Sequence, residues 1–381
     1  MAVIAWMRKL LLRNSGHGLS GARLLPLNNC WSCAQGAKRH LLTDDILRLQ
    51  EFQQMKIAFT YQIFGGKDLY FRNLEEKLKK NKLILRDELK TLLHLCQTPA
   101  EVELAKNVIY RYHAENKNVA FGEYKFGPLF MRLCYELNLE NTALDLIKDK
   151  ALKGFFSDCT SFNILMDMAF SKGHYERALE VLIEMKNQGI KFSCDTYILA
   201  FATCYKLNST ESCKICSLLL EESELKDDFV PNRAYFFAIA FALKQNEVSK
   251  ARSIYSKITN TESRVCSNLY ILIQALMGNF ENVLHMLEAA VQTVTPEYVK
   301  RLQFSEQVLA TVKEKMNNPV LSDRFNYICI ELQVSGQVTP LTLDDMLCRT
   351  PSARKHHMLR LNQRKISRRT FQPLHSALLA E

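Results

Sequence analysis

Between residues 160 and 200 the apolar positions follow a helical period that is cut at regular points. Phe162, Leu165, Met166 and Ala169 recur at steps of three and four, so they share one face of a helix that needs a partner to cover it. Gly173 breaks the run. Tyr175, Ala178, Leu179, Leu182 and Met185 repeat the pattern on a second helix, and Gly189 stands where a left-handed residue closes a helix end. The phase restarts at Thr196, and Phe162 to Tyr197 spans one period of 35 residues. A period of that size predicts stacked helical hairpins, each burying its apolar faces against its neighbours.

The neighbours are visible through a small residue that recurs in each second helix. Ala105, Ala143, Ala178, Cys213, Ala251 and Val283 follow one another at steps of 38, 35, 35, 38 and 32 residues. A small side chain lets two backbones approach closely, which is a reason for it to return once per unit. Phe162 and Tyr197 form a parallel aromatic series that continues at Tyr235 or Phe236. Outside the array the signals are local. Thr98 to Glu101 is a capping box with proline at the first helical position, which starts a helix running through Tyr112. Thr43 is positioned to cap the first helix. Lysine-rich residues 73–82 form a solvated helix face, and patterns after Pro296 and around Leu321 to Leu332 give helices that close the array.

At Phe162, Asn163, Gly173, Met185, Lys186 and Gly189 the chain resembles the pentatricopeptide repeat family. The family's unit has an aromatic and an asparagine early in helix one, a glycine between the helices and a methionine-lysine-x-x-glycine near its end. The resemblance implies an all-α fold, a right-handed α-solenoid of stacked helix-turn-helix repeats with divergent helical ends, whose inner wall is open to a strand or a partner. It also implies one base read per repeat by two residues. Those places fall on Asn163 and Ser193, with Thr160 packing beside the base. Asparagine carries both a donor and an acceptor for a base edge, but it also tends to serve the backbone at helix starts. One unit earlier the reading position is Pro128 and one unit later it is Ile198, neither able to hydrogen-bond through its side chain. At about 1 to 3 kcal/mol per base pair read, one or two legible repeats do not define a unique site.

Net charge is concentrated at the two ends. The formal net charge is +10, yet residues 42–348 hold 36 basic against 39 acidic side chains. A generally basic groove is therefore not supported. Residues 1–41 carry six cations and no acid, with Arg8 and Lys9 interrupting the early apolar stretch, as in an amphipathic mitochondrial presequence cleaved near Arg39 to Thr43. The expected destination is the mitochondrial matrix. Residues 349–381 form a basic tail bearing Arg354, Lys355, Arg360, Arg364, Lys365, Arg368 and Arg369, suited to a phosphate backbone or a ribonucleoprotein such as the mitochondrial ribosome, or simply solvated. Between the ends the expected divisions are an N-terminal helical region with degenerate repeats at 42–120, the array at 121–293 with its best unit at 159–193, and a helical cap at 294–348.

Other chemistry is missing. The longest apolar run, Ala234 to Leu243, is half of what a membrane span needs, so no membrane insertion is expected. The acidic doublets Asp44-Asp45 and Asp344-Asp345 suit helix starts, and with Asp227-Asp228 they make no nuclease centre. Of the two CxxC pairs, Cys30/Cys33 lies in the presequence and Cys213/Cys216 lacks companions at zinc spacing, so a buried thiol is expected at Cys213 and no metal. No catalytic residue and no cofactor is assigned. The expected function is a non-catalytic mitochondrial RNA-binding protein acting on mitochondrially encoded transcripts, alone or with RNA-processing proteins. The alternative is a mitochondrial protein-protein scaffold or assembly factor that uses the same surface.

Overall fold

A computed structural model describes residues 40–63, 66–116, 124–292 and 301–351. The order of elements is α1 (Asp44–Leu47), α2 (Leu49–Gln62), α3 (Lys67–Lys79), α4 (Arg86–Leu95), α5 (Pro99–Asn116), α6 (Gly127–Glu136), α7 (Glu140–Lys148), α8 (Cys159–Ser171), α9 (Tyr175–Asn187), α10 (Cys194–Leu207), α11 (Thr210–Leu225), α12 (Asn232–Lys244), α13 (Val248–Tyr255), α14 (Arg264–Leu276), α15 (Phe280–Gln292), β1 (Phe304–Ser305), α16 (Glu306–Lys315), α17 (Pro319–Val334), β2 (Val338–Thr339) and α18 (Leu343–Cys348). Among the described residues the regular structure is all-helical apart from the two-residue parallel pairing of β1 with β2.

Consecutive helices pair, and the pairs stack in chain order. The first helices form one row, with α4 on α6, α6 on α8, α8 on α10, α10 on α12, α12 on α14 and α14 on α16. Second helices fill the other row, seen directly in the packing of α7 on α9 and α15 on α17. Hairpins therefore run past both edges of 121–293, with α4/α5 before and α16/α17 after. The chain between the helices of successive pairs turns at Asn138, Gly173, Asn208, Asn246 and Gly278, all with positive φ. Such a backbone favours glycine, and asparagine next. Five residues beyond each turn lie Ala143, Ala178, Cys213, Ala251 and Val283. The small-residue series is thus a register of the turn, and all of its members are fully buried except Cys213. That thiol is only partly buried beside Glu247 and Lys250, while Cys216 is the buried member of the pair, its thiol pushed up to about 12 by burial.

N-caps set the same register at the start of first helices. Asp158, Ser193 and Ser263 accept from the backbone N–H three residues on. Phe162 and Tyr197 stand four residues after their caps, and the corresponding residue after Pro231 is Tyr235, so Phe236 falls at the place of Asn163. In α5 the Glu101 carboxylate accepts from the N–H of Thr98 at 3.1 Å and the helix runs on to Asn116, past the expected Tyr112. Thr43 occupies the N-cap place of α1, but its side chain makes no capping bond, and the left-handed Arg48 ends the helix after four residues.

The expectation of an open inner wall is corrected by the burial pattern. Every residue from Ser161 to Phe170 in α8 and from Thr196 to Tyr205 in α10 is buried. A solenoid helix facing an empty groove keeps one polar stripe, and these keep none. The chain's own ends supply the cover. Leu41 and Leu42, 0% and 2% exposed, lie on α8 through its Asp167, and α2 packs across α4 and α6. From the other end α18 lies on α12 and α14, placing Leu347 and Cys348 in the main core.

Candidate nucleic-acid interface

Residue 163 sits on the face of α8 that turns toward the next repeat. Asn163 is 2% exposed, and both ends of its amide are engaged: Nδ2 donates to Ser193 Oγ at 2.9 Å and Oδ1 accepts from Thr196 Oγ1 at 2.8 Å. Ser193 and Thr196 are themselves the capping box of α10, with hydroxyls 3.0 Å apart. The two positions expected to read a base are therefore bonded to each other, and Asn163 serves as a strut from one repeat to the cap of the next. Ser193 and Thr160 retain partial exposure on the rim.

The same strut recurs three periods on. Asn268 in α14 is fully buried, donates to the carbonyls of Arg264 and Gln303 at 2.7 and 3.0 Å, and accepts from the N–H of Ser305 at 2.8 Å. Sequence reasoning overlooked Asn268, although its spacing of 105 residues from Asn163 is three times the period. At the intervening Ile198 and Phe236 a buried apolar side chain replaces the strut.

Beside the rim, a cleft of about 360 Å³ opens where the ends of α9 and α11 meet the start of α10, lined by Lys186, Ile190, Lys191, Phe192, Tyr197 and Lys226 among others. Lys186 and Lys226 both bind Glu222, and Lys191 pairs with Asp228 at 3.3 Å. Burial pushes the Glu222 carboxyl up, but the hydrogen bonds from the two lysines outweigh it and hold it below its ordinary value. Three lysines against two carboxylates leave the cleft with a small positive excess, and Lys191, 84% exposed, projects most freely. Phe192, partly exposed, meets the buried Tyr197 edge to face at 5.8 Å, so one aromatic face stands with the cations here.

Along the inner wall the polar groups are held by the covering ends. Lys206 on α10 binds Asp344 of α18 at 2.6 Å; burial lowers its pKa, but the bond and charge of Asp344 reverse that and raise it. Lys244 on α12 stands 3.6 Å from the Tyr205 ring centroid, and burial lowers its pKa. Arg233 donates to the carbonyl of Leu41 at 2.7 Å and to that of Arg349 at 3.1 Å, tying both ends to α12. Asp344 and Asp345 lie in the first turn of α18, as Asp44 and Asp45 do in α1. Residues 1–39, where a presequence is expected, and the tail cations Arg354, Lys355, Arg360, Arg364, Lys365, Arg368 and Arg369 lie outside the described residues. Among the described residues, no helix is long and apolar enough to cross a membrane, and no three His, Cys, Asp or Glu side chains gather as metal ligands do.

The model of the mitochondrial 28S ribosomal protein S27 family matches residues 89–354, from α4 through α18. A Xenopus laevis protein called pentatricopeptide repeat-containing protein 2, mitochondrial, is 58% identical over 387 aligned residues, covering 100% of both chains. Its Homo sapiens counterpart is 58% identical over 92% of this chain and 90% of its own, and the Danio rerio one 49% identical over 93% of each. With the family model spanning most of the array and these relatives matched nearly end to end, the chain is a mitochondrial protein that belongs to the ribosomal protein S27 family, alongside the mitochondrial pentatricopeptide repeat-containing protein 2 sequences.

Proposed function

We propose that this chain is a non-catalytic RNA-binding protein of the mitochondrial matrix that assists the maturation, stability or expression of mitochondrially encoded transcripts. The observation that carries the reading is the match to a ribosomal protein family across 89–354, over an array whose rim sets the partly exposed Phe192 beside three lysines. Recognition on this reading rests on backbone charge and base stacking rather than on a base-by-base code. Lys186, Lys191 and Lys226 meet phosphate, Thr160 and Ser193 line the approach, and Asn163 contributes by holding the Ser193 hydroxyl in place. The tail from Arg354 to Arg369 adds further phosphate contacts. The solenoid winds right-handed, which a density map at helix resolution checks.

Crosslinking in intact mitochondria, followed by mapping of the crosslinked peptides, tests the reading. Peptides around 186–197 or in the tail are expected to carry nucleotide. In parallel, removing residues 352–381 should lower RNA affinity and flatten its salt dependence, by about 0.7 in log-log slope per lost contact on a single strand. RNA recovery no higher than that of a matrix control protein would sink the proposal.

A second reading is favoured by two observations: Ile198 and Phe236 stand at reading positions, and the inner wall is occupied by the chain itself. On that reading the protein is a scaffold or assembly factor on a mitochondrial ribonucleoprotein, including the ribosome, without direct base contact. A stable co-sedimenting complex that survives RNase and yields no RNA crosslink selects it.

A further inference from the structure

Asp167 is a polar intrusion in the apolar helix α8 that the RNA reading does not use. Its carboxylate is fully buried. One oxygen accepts the backbone N–H of Leu41 at 2.8 Å and of Leu42 at 3.1 Å, and the other accepts the Tyr135 hydroxyl at 3.0 Å. Among the described residues, the one basic side chain within 4 Å is the His40 ring at 3.6 Å, which is one-third exposed and also meets the Tyr135 hydroxyl. Arg233, although close, directs its guanidinium to the Leu41 and Arg349 carbonyls. A fully buried carboxylate held by neutral donors is costly unless a cation joins it. The nitrogen of Leu41 stands where that cation is needed.

We propose that the mature chain begins at Leu41 and that Asp167 is the receptor for its α-ammonium. A processing endopeptidase hydrolyses the His40–Leu41 bond: water supplies the oxygen of the new His40 carboxylate, the C–N bond breaks, and the Leu41 nitrogen leaves as an amine that takes up a proton. Lys38, Arg39 and His40 offer a protease a run of basic side chains directly before the bond. The ammonium then forms an ion pair with Asp167 at the position its amide now holds, while Arg233 keeps the Leu41 carbonyl and the inner wall closes over α8. Processing is in this way coupled to the docking of the chain's own end. The inference depends on mitochondrial import and is independent of RNA binding.

Two measurements test it. Sequencing the amino terminus of the protein purified from mitochondria should return Leu41-Leu42-Thr43; a mature form starting at His40 or upstream, or beyond Leu41, overturns the proposal. Next, residues 41–381 with a free amine are compared with the same chain acetylated at Leu41. The free amine should raise the melting temperature by at least about 3 °C. That gap should vanish in Asp167→Asn and close as pH rises well above the ordinary α-amino range of about 8, because a cation paired in the fold stabilises only while protonated. If Asp167→Asn does not fold, the acetylation and pH comparisons decide alone. Equal melting of the free and acetylated chains overturns the receptor role.

Discussion

Asn163 and Asn268 hold the same position in two repeats and differ in what they support. Asn163 braces a cap that is also braced from within, since Ser193 and Thr196 satisfy each other and each other's backbone N–H. Asn268 braces the entry to α16, where the N–H of Ser305 has the Asn268 carbonyl as its partner and Ser305 is itself fully buried. One amide is redundant and the other is not. The motif residue of the best-formed repeat is therefore expected to be the less consequential of the two. Asn268→Ala should be the more damaging change, because it strands a buried donor: a loss of about 3 kcal/mol is expected, read by urea denaturation. A smaller loss than that of Asn163→Ala would reverse the comparison.

How much of this was legible follows from the kind of signal each feature leaves. The hairpins and their register were legible because apolar faces and small residues repeat. A glycine marks the turn at Gly173 and again at Gly278; at Asn138, Asn208 and Asn246 the same backbone is adopted by asparagine, which carries no comparable signature. Asn268 was within reach of the period. Closure of the inner wall was not: Leu41, Leu42 and the six residues of α18 are too short to show periodicity, and their partners lie more than a hundred residues away. Asp167 was the one visible hint, an acid in a helix otherwise fit only for burial. The family resemblance pointed to an open groove because the segments that close it lie at the chain's ends, outside the repeats that carry the resemblance.

The repeats near Asn163 are also tied by charge, and this sharpens the contrast with the end of the array. Glu140 at the start of α7 has a side chain only 4% exposed and receives His174 at 2.8 Å, Arg177 at 3.2 Å and Lys172 at 3.5 Å from the next hairpin. Burial pushes its carboxyl up, but the His174 and Arg177 bonds prevail and hold it below the ordinary range. Because His174 and Arg177 are partly solvated, Glu140→Gln should cost only about 1.5 kcal/mol. A depressed carboxyl stabilises at pH above its unfolded value of about 4.3, and the contribution fades as pH falls through the lower folded value. The gap between wild type and variant should therefore be steady from pH 5 to 6 and shrink below about pH 4. A gap that widens toward acid would remove the charge from the account.

Asn163→Ala addresses the strut itself. With the capping box intact, the loss should be about 1 kcal/mol, and Ser193→Ala should be partly non-additive with it because they share one hydroxyl. RNA affinity of Asn163→Ala should fall by no more than twofold if the residue holds the rim rather than a base. A drop of tenfold or more with stability unchanged would make it a reader.

The smallest effect is expected where a tie between repeats is most conspicuous. Arg324 on α17 reaches back to α15, forking onto Glu288 at 2.7 and 2.8 Å and meeting Glu281 at 3.4 Å. It resembles the Glu140 cluster in linking successive hairpins, but Arg324 and Glu281 are 47% and 71% exposed, so water screens the pair and side-chain entropy opposes it. Arg324→Ala should leave the melting temperature within about 1 °C of wild type, and any residual effect should disappear in 0.5 M salt, where the Debye length falls to about 4 Å. A loss that persists in salt would mean that the stem of Arg324 matters more than its charge, and that hairpin ties at the array's end draw on apolar cover as those around Asn163 do.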